Sequence, residues 1–114
     1  MTIREAIVGE IEPYSLSDDS IEKAYVDAAG RFGGSASIDD PYAYAEKKTC
    51  NFAAMLCLNR VRVLASENIG GISNSYNVAN IDKRIKALAR EAGISADLVG
   101  ADEGDATISF ARIW

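Results

Sequence analysis

Seven consecutive residues near the middle of this chain carry no polar side chain: the run from Phe52 to Leu58 reads FAAMLCL. The residues around it predict a long helix over 41–65, which Asp40 and Pro41 open with proline at the first helical position. A helix that is apolar on every side has to be covered on every side. The run therefore predicts a mainly α protein, a small helical bundle whose long central helix is covered by other helices or by neighbouring subunits.

Two shorter helices are predicted before the long one by their start and stop residues. Thr2 and Glu5 have the spacing of a capping box, in which the hydroxyl and the carboxylate each bond a free backbone N–H group. Pro13 is expected to end this first helix. Ser17 is the predicted cap of the second helix, and Gly30 is its predicted stop because glycine readily adopts the left-handed conformation.

A fourth helix and two extended segments complete the predicted architecture. Asn80 is the expected cap of a helix over 81–92, which Gly93 terminates. Alternating residues predict a short extended segment near 69–77 and a C-terminal strand near 106–113. A lone strand has an unpaired edge, so the C-terminal strand is expected to pair with the first extended segment or with another chain.

Composition excludes several kinds of active site. The chain has no histidine, which removes triads that use histidine and metal sites built on imidazole. Its two cysteines, Cys50 and Cys57, lie two turns apart on one predicted helix. They are too far apart to form a disulfide with each other and are expected to be buried and reduced. We therefore expect no enzymatic activity, no cofactor and no metal site.

The chain also shows no membrane or secretion signal. No stretch of about 18 apolar residues is present, so no membrane span is expected. The N-terminal residues lack a basic stretch followed by an apolar run, and the protein is therefore expected in a cytoplasm.

Charge is spread unevenly along the chain, whose net charge is -5. Residues 1–59 hold ten acids and five bases, residues 60–90 two acids and six bases, and residues 91–114 five acids and one base. Segments of opposite charge predict head-to-tail attraction between copies, and the alternative is a solvated basic helix face. The adjacent acids at 18–19 and 39–40 are explained as partners of helix starts.

Residues 85–95 resemble the first helix and turn of a helix-turn-helix DNA-binding motif, with Gly93 in the turn. The next helix of such a motif enters the major groove and carries basic or amide side chains. Here residues 96–103 are acidic and are interrupted by Gly100, so sequence-specific DNA binding is not expected. A small DNA-binding regulator is the runner-up hypothesis, and an unrelated protein-interaction module is the third.

The order of elements, and two segments in particular, resemble the head–tail connector proteins of tailed bacteriophages. The segments are LSDDSI at 16–21 and the serine-rich SENIGGISNSY at 66–76, which lie on either side of the predicted long helix. The resemblance covers about residues 2–92. It implies a single connector-like helical domain over 1–114, with an acidic loop and the tail strand in 101–114.

The resemblance implies a structural role without catalytic residues. Connector proteins (adaptor or head-completion proteins) form a homo-oligomeric ring, often of about twelve copies, between the portal protein and the tail or neck proteins. Such a protein is present in the host bacterial cytoplasm during assembly and then in the virion neck. The residues expected at its subunit or partner interfaces are Ile69, Ile72, Tyr76, Phe110 and Trp114.

Overall fold

The structure is a computed structural model, and it describes residues 1–67 and 78–95. The described part is a bundle of four α-helices and one short 3-10 turn, in agreement with the predicted mainly α bundle. In chain order the elements are α1 (Ile3–Ile11), α2 (Asp18–Phe32), the 3-10 turn (Tyr44–Glu46), α3 (Lys47–Glu67) and α4 (Val78–Ala92). α3 is the long central helix, and each of the other three helices packs against it.

The apolar run of α3 is covered within its own chain. Ala53, Ala54, Met55 and Leu58 have no exposed surface, and Leu56 alone in the run is half-buried. Isoleucines of α1, small and aromatic residues of α2 and the apolar face of α4 form one core with them. Of the two covers that the sequence left open, other helices or neighbouring subunits, the structure shows the first, because three helices of the same chain surround the run.

The predicted starts of α1 and α2 are confirmed by their hydrogen bonds. The Thr2 hydroxyl accepts from the Glu5 N–H at 3.2 Å, and the Thr2 N–H donates to the Glu5 carboxylate at 2.8 Å. The Ser17 hydroxyl likewise accepts from the backbone of the first turn of α2. The predicted stop at Gly30 is wrong: α2 continues to Phe32, and Gly33, with φ +88°, follows it.

α3 begins six residues later than predicted, at Lys47 instead of 41. The reason is a long-range pairing, because Thr2 and Pro41 form an antiparallel bridge. The carbonyl groups of Ile38 and Asp40 also accept hydrogen bonds from the first N–H groups of α1. The chain around Pro41 is therefore extended beside the N-terminus and is not available to start a helix.

α4 begins at Val78, so the predicted cap Asn80 lies inside the helix. Neither residue before Asn80 is glycine or proline, and nothing local stops the helix from extending toward its N-terminus. The predicted end is confirmed. Gly93 has φ +72°, and the Ile94 N–H donates to the Ala89 carbonyl at 3.0 Å while Ile94 packs on the core.

The predicted extended segment near 69–77 and the predicted strand near 106–113 lie outside the described residues. Within the described part, no helix combines the length and the apolar character needed to cross a membrane.

Candidate functional site: interaction surfaces

An acidic patch lies where the N-terminal turns of α2 meet the loop before the 3-10 turn. We define it as Asp18 and Glu22 of α2 together with Asp39 of the loop. Arg4 of α1 lies among them, with its guanidinium 3.1 Å from Asp39, 3.8 Å from Asp18 and 3.9 Å from Glu22. The hydrogen bond to Asp39 and the surrounding carboxylates raise the pKa of Arg4. One cation thus lies within 4.0 Å of three exposed carboxylates, and the patch keeps a net negative charge.

The loop that carries Asp39 is held by polar contacts. The Tyr25 hydroxyl donates to the Ser35 carbonyl at 2.9 Å, and the Ser35 hydroxyl donates to the Glu46 carboxylate at 3.2 Å. Burial is the main reason that the pKa of Tyr25 is raised, so its hydroxyl keeps the proton it donates. Gly34 lies so close that an added Cβ would be 2.9 Å from the Tyr25 hydroxyl. These contacts hold the start of the loop against α2 and the 3-10 turn. Asp39 itself is held by Arg4 and by its own N–H, which donates to the Ser37 hydroxyl at 3.1 Å.

A basic stripe runs along the solvent side of α4. Its members, Lys83, Lys86 and Arg90, are three and four residues apart and therefore share one face of the helix. All three are exposed, and none forms an ion pair with a carboxylate whose side chain the structure describes. The neighbouring Arg84 differs, because it pairs with Glu10 of α1.

The acidic patch and the basic stripe lie on different flanks of the molecule. α1 packs against α2, and it is linked to α4 by the ion pair between Glu10 and Arg84. α1 therefore lies between the two helices, which both pack on α3 but have little contact with each other. A single copy cannot bring its own basic stripe to its own acidic patch, whereas two copies can.

A groove of about 640 Å³ lies between the N-terminal half of α2 and the C-terminal half of α3. The groove has apolar and charged lining residues. The apolar ones include Leu16, Leu56, Val63 and Leu64, and the charged ones are Asp19, Lys23, Asp27 and Arg60. Leu64 is 41% exposed, and Leu56 and Val63 are half-buried. The two helices thus leave apolar side chains in contact with solvent at this end.

At the other end, α2 and α3 are joined closely. The rings of Phe32 and Phe52 meet edge to face with centroids 5.2 Å apart. Arg31 lies over the Phe52 ring and Lys48 over the Phe32 ring, and the Thr49 hydroxyl donates to the Gly33 carbonyl. These contacts are structural, and they explain why the groove opens only toward the N-terminal end of α2.

The thiols are buried in the core, as predicted. Burial raises the pKa of both Cys50 and Cys57 to about 12, so both are protonated at neutral pH and are poor nucleophiles. Both are free cysteines. Among residues 1–67 and 78–95, no three acidic or cysteine side chains lie close enough together to hold a metal ion.

The interface residues predicted from sequence cannot be compared with these surfaces. Ile69, Ile72, Tyr76, Phe110 and Trp114 lie outside the described residues, as does the second helix of the helix-turn-helix hypothesis. The sequence analysis identified an excess of bases in residues 60–90, but it did not identify that three of these bases share one face of α4. It explained the acids at 18–19 and 39 as helix-start residues, and it did not anticipate the groove.

A family model described as a family of unknown function (DUF6706) matches residues 1–114. No curated protein matches the chain, and no solved structure does.

Proposed function

The chain belongs to the DUF6706 family, whose function is unknown, and we propose that it is a structural head–tail connector protein of a tailed phage or prophage. In this proposal, copies of the chain associate side by side into a ring between the portal protein and the tail or neck proteins. The ring assembles in the host bacterial cytoplasm and ends in the virion neck. The resemblance of segments 16–21 and 66–76 to connector proteins motivates the proposal.

The observation that supports it most is the separation of charge. The acidic patch and the basic stripe are two different surfaces on different flanks, so a contact between them is heterologous: each copy uses one surface for each neighbour. Heterologous contacts produce closed rings when the rotation between neighbours closes. Opposite charges also steer the encounter and exclude the wrong orientation.

The overall charge suits a ring through which DNA passes. Duplex DNA binds proteins mainly through cationic contacts to its phosphates, and this chain has a net charge of -5. If the basic stripe of each copy is paired with the acidic patch of its neighbour, few unpaired cations remain that could bind the DNA. The proposed ring extends the portal channel without gripping its contents.

The first experiment measures mass by light scattering after size exclusion, over a range of protein and salt concentrations, with negative-stain imaging of the same fractions. The proposal predicts closed rings of about a dozen copies at low salt. It predicts that they dissociate as the screening length falls from about 10 Å at 0.1 M salt to about 3 Å at 1 M. A protein that stays monomeric at every concentration and salt, alone and with purified portal rings, would refute it.

A charge exchange tests the contact itself. The variant K83E/K86E reverses two members of the basic stripe, and D18K/E22K reverses two members of the acidic patch. Each variant alone is expected to stay monomeric, because like charges then face each other. A mixture of the two is expected to assemble, because every contact in an alternating ring again joins opposite charges.

The matched control for both variants is E12K, which reverses an exposed acid that lies outside the acidic patch. It is expected to assemble like the parent protein. Far-ultraviolet circular dichroism verifies that each variant is folded. If the mixture fails to assemble while both variants are folded, the acidic patch and the basic stripe are not the paired surfaces.

The basic stripe also favours a second candidate, a small DNA-binding regulator, because exposed cations along one helix face are what a phosphate backbone contacts. The two functions separate on a heparin column and in a duplex-binding titration. A connector is expected to flow through heparin and to bind duplex DNA weakly at physiological salt. A stable dimer that retards operator DNA, and loses this activity in K83E/K86E, would replace the connector by the regulator.

A further inference from the structure

We propose that the basic stripe of α4 is a docking site for the acidic segment that follows it in the same copy, residues 97–105. The contact is autoinhibitory: the segment covers the stripe of a free subunit and leaves it when the acidic patch of a neighbour binds there. The inhibitory role rests on the proposed ring contact, whereas the docking itself can be observed in a protein that forms no ring.

The stripe contains most of the bases for which the described part of the structure shows no partner. Carboxylates pair with five other bases, and aromatic rings contact two more: Arg4, Lys23, Lys47, Arg62 and Arg84, and then Arg31 and Lys48. Arg60 has neither kind of partner among the described residues, but it lies on α3, in the groove beside α2. The three cations of the stripe share one helix face, and they are therefore the concentrated positive charge of the described surface.

The residues that follow α4 carry the matching charge. Residues 96–105 read ADLVGADEGD and contain four acids and no base: Asp97, Asp102, Glu103 and Asp105. The acidic patch of a neighbour offers three acids, and all three already lie within 4.0 Å of the Arg4 guanidinium. The segment thus has the higher net negative charge of these two partners, and charge complementarity favours it.

The segment also begins beside the stripe, which favours the same copy. Lys83 lies nine residues before Ala92, the last residue of α4, or about 14 Å along the helix axis. The seven residues 96–102 span up to about 23 Å when extended, so the acids can reach the whole stripe along α4 without passing round the bundle. The other bases beside this end of α4, Lys47 and Lys48, already have partners.

The short connection decides between the segment of the same copy and that of a second copy. A segment joined to its site by a few residues is present at an effective concentration on the order of millimolar. At micromolar protein concentrations a second copy is about a thousandfold more dilute than that. The segment of the same copy is therefore the expected occupant of the stripe in a free subunit.

Docking of the segment has two consequences for the free subunit. The stripe cannot bind the segment and a neighbour's acidic patch together, because both contacts use the same three cations. Assembly therefore has to displace the segment first. The covered stripe also offers few cations to the phosphates of DNA, which exposed bases along a helix face would otherwise attract.

Cross-linking with a water-soluble carbodiimide tests the docking, because this reagent joins a lysine amine directly to a carboxylate that contacts it. The full-length protein is prepared with natural nitrogen and with nitrogen-15, and equal amounts are mixed at micromolar concentration and low salt. Mass spectrometry should find Lys83 or Lys86 linked to acids of 97–105 in peptides of a single isotope. The ion pairs Lys23–Asp27, at 2.8 Å, and Lys47–Glu91, at 3.7 Å, are internal controls and should be linked in every sample.

Two results would overturn the docking. Links between the stripe and 97–105 that occur only in peptides of mixed isotope would identify a second copy as the occupant. The absence of such links, in a sample where the internal controls are linked, would show that the segment does not contact the stripe.

The inhibitory role is tested with E103Q, which neutralises one acid of the segment. E12Q is the matched control, because it makes the same change at an exposed acid outside the acidic patch. Light scattering should find that E103Q self-associates at a concentration about two- to fivefold lower than E12Q, the factor expected for one exposed ion pair. Equal concentrations for the two variants would overturn the autoinhibition.

The two proposals fail separately. Single-isotope links from the stripe to 97–105, in a protein that never forms rings, overturn the connector function and support the docking. Rings from a protein whose free subunits show no such link overturn the docking alone.

Discussion

The two halves of α3 bury their side chains to different degrees. In the first half, residues 50–58, nearly every side chain is enclosed by α1, α2 and α4 of the same chain. In the second half, residues 60–64, Arg60 and Leu64 are exposed and Val63 is half-buried along the groove. The first half is the more apolar in sequence, and yet the exposed apolar side chain, Leu64, lies in the second half, while Leu56 is the half-buried exception in the first.

The comparison shows that an apolar sequence does not by itself indicate a partner molecule. The run from Phe52 to Leu58 has to be covered, and the other helices of the chain cover it. The surface available to a partner lies where polar and apolar residues mix, because the bundle leaves that part of α3 open. Assembly of this protein is therefore expected to depend on the exposed flanks and the groove, and folding on the enclosed half.

The largest difference in stability is expected between two variants that each truncate one apolar residue, one in each half of α3. Met55→Ala removes a side chain with no exposed surface and should lower the free energy of unfolding by about 2–5 kcal/mol, since it leaves a cavity. Leu64→Ala should lower it by about 0.5 kcal/mol or less, because that side chain is 41% exposed. Urea denaturation of both variants measures the difference. Equal losses of unfolding free energy in the two variants would mean that the two halves of α3 contribute equally to the core.

The two thiols of the enclosed half should make stability depend on pH. Burial raises their pKa from 9.0 to about 12, so above pH 9 the unfolded chain releases protons that the folded chain retains. The stabilisation is complete below pH 9 and is lost as the pH rises toward 12, by on the order of 1 kcal/mol for each thiol at pH 10.

The measurement is denaturant unfolding between pH 8 and pH 10.5, for the parent and for C50A/C57A. The double variant should be less stable at pH 8 but should lose less stability on going to high pH. If the free energy of unfolding falls equally with pH in the parent and in C50A/C57A, the thiols ionise as readily in the folded chain as in the unfolded chain.

A smaller effect is expected from the buried amide that ties α4 to the enclosed half. The Asn51 side chain donates to the Leu88 carbonyl at 3.2 Å, and Asn51→Ala should lower the free energy of unfolding by about 1 kcal/mol. Lys86→Ala, on the solvent side of α4, is the control and should have almost no effect on unfolding. A loss below the error of urea denaturation would mean that this bond does not help to hold α4 on α3.

Local signals predicted those parts of the fold that depend on adjacent residues. The capping box of Thr2 and Glu5, the cap at Ser17 and the stop at Gly93 are each satisfied within a few residues, and all are confirmed. The start of α3 is not local, because residues 38–42 pair with the N-terminus. A signal of helix initiation at Pro41 is therefore overridden by a contact that the sequence does not display.

The interaction surfaces were harder to predict for the same reason. The acidic patch contains the ion pair of Arg4 with Asp39, which are 35 positions apart, whereas the sequence analysis explained Asp39 as a partner of a helix start that the structure does not have there. The groove exists because α2 and α3 are tied at one end and not at the other. Of these surfaces, only the basic stripe on α4 follows from helical spacing. A plot of charge along one face of that helix predicts it.

The apolar run of α3 is enclosed within one subunit, and we therefore propose that the subunit folds by itself and uses only its exposed surfaces to assemble. The most direct test is urea unfolding, followed by far-ultraviolet circular dichroism, of K83E/K86E under conditions where light scattering finds only monomer. The account predicts a folded helical monomer that unfolds cooperatively, at a midpoint independent of protein concentration. An unfolded monomer, or a midpoint that rises with concentration, would show that the enclosed half of α3 needs a second subunit after all.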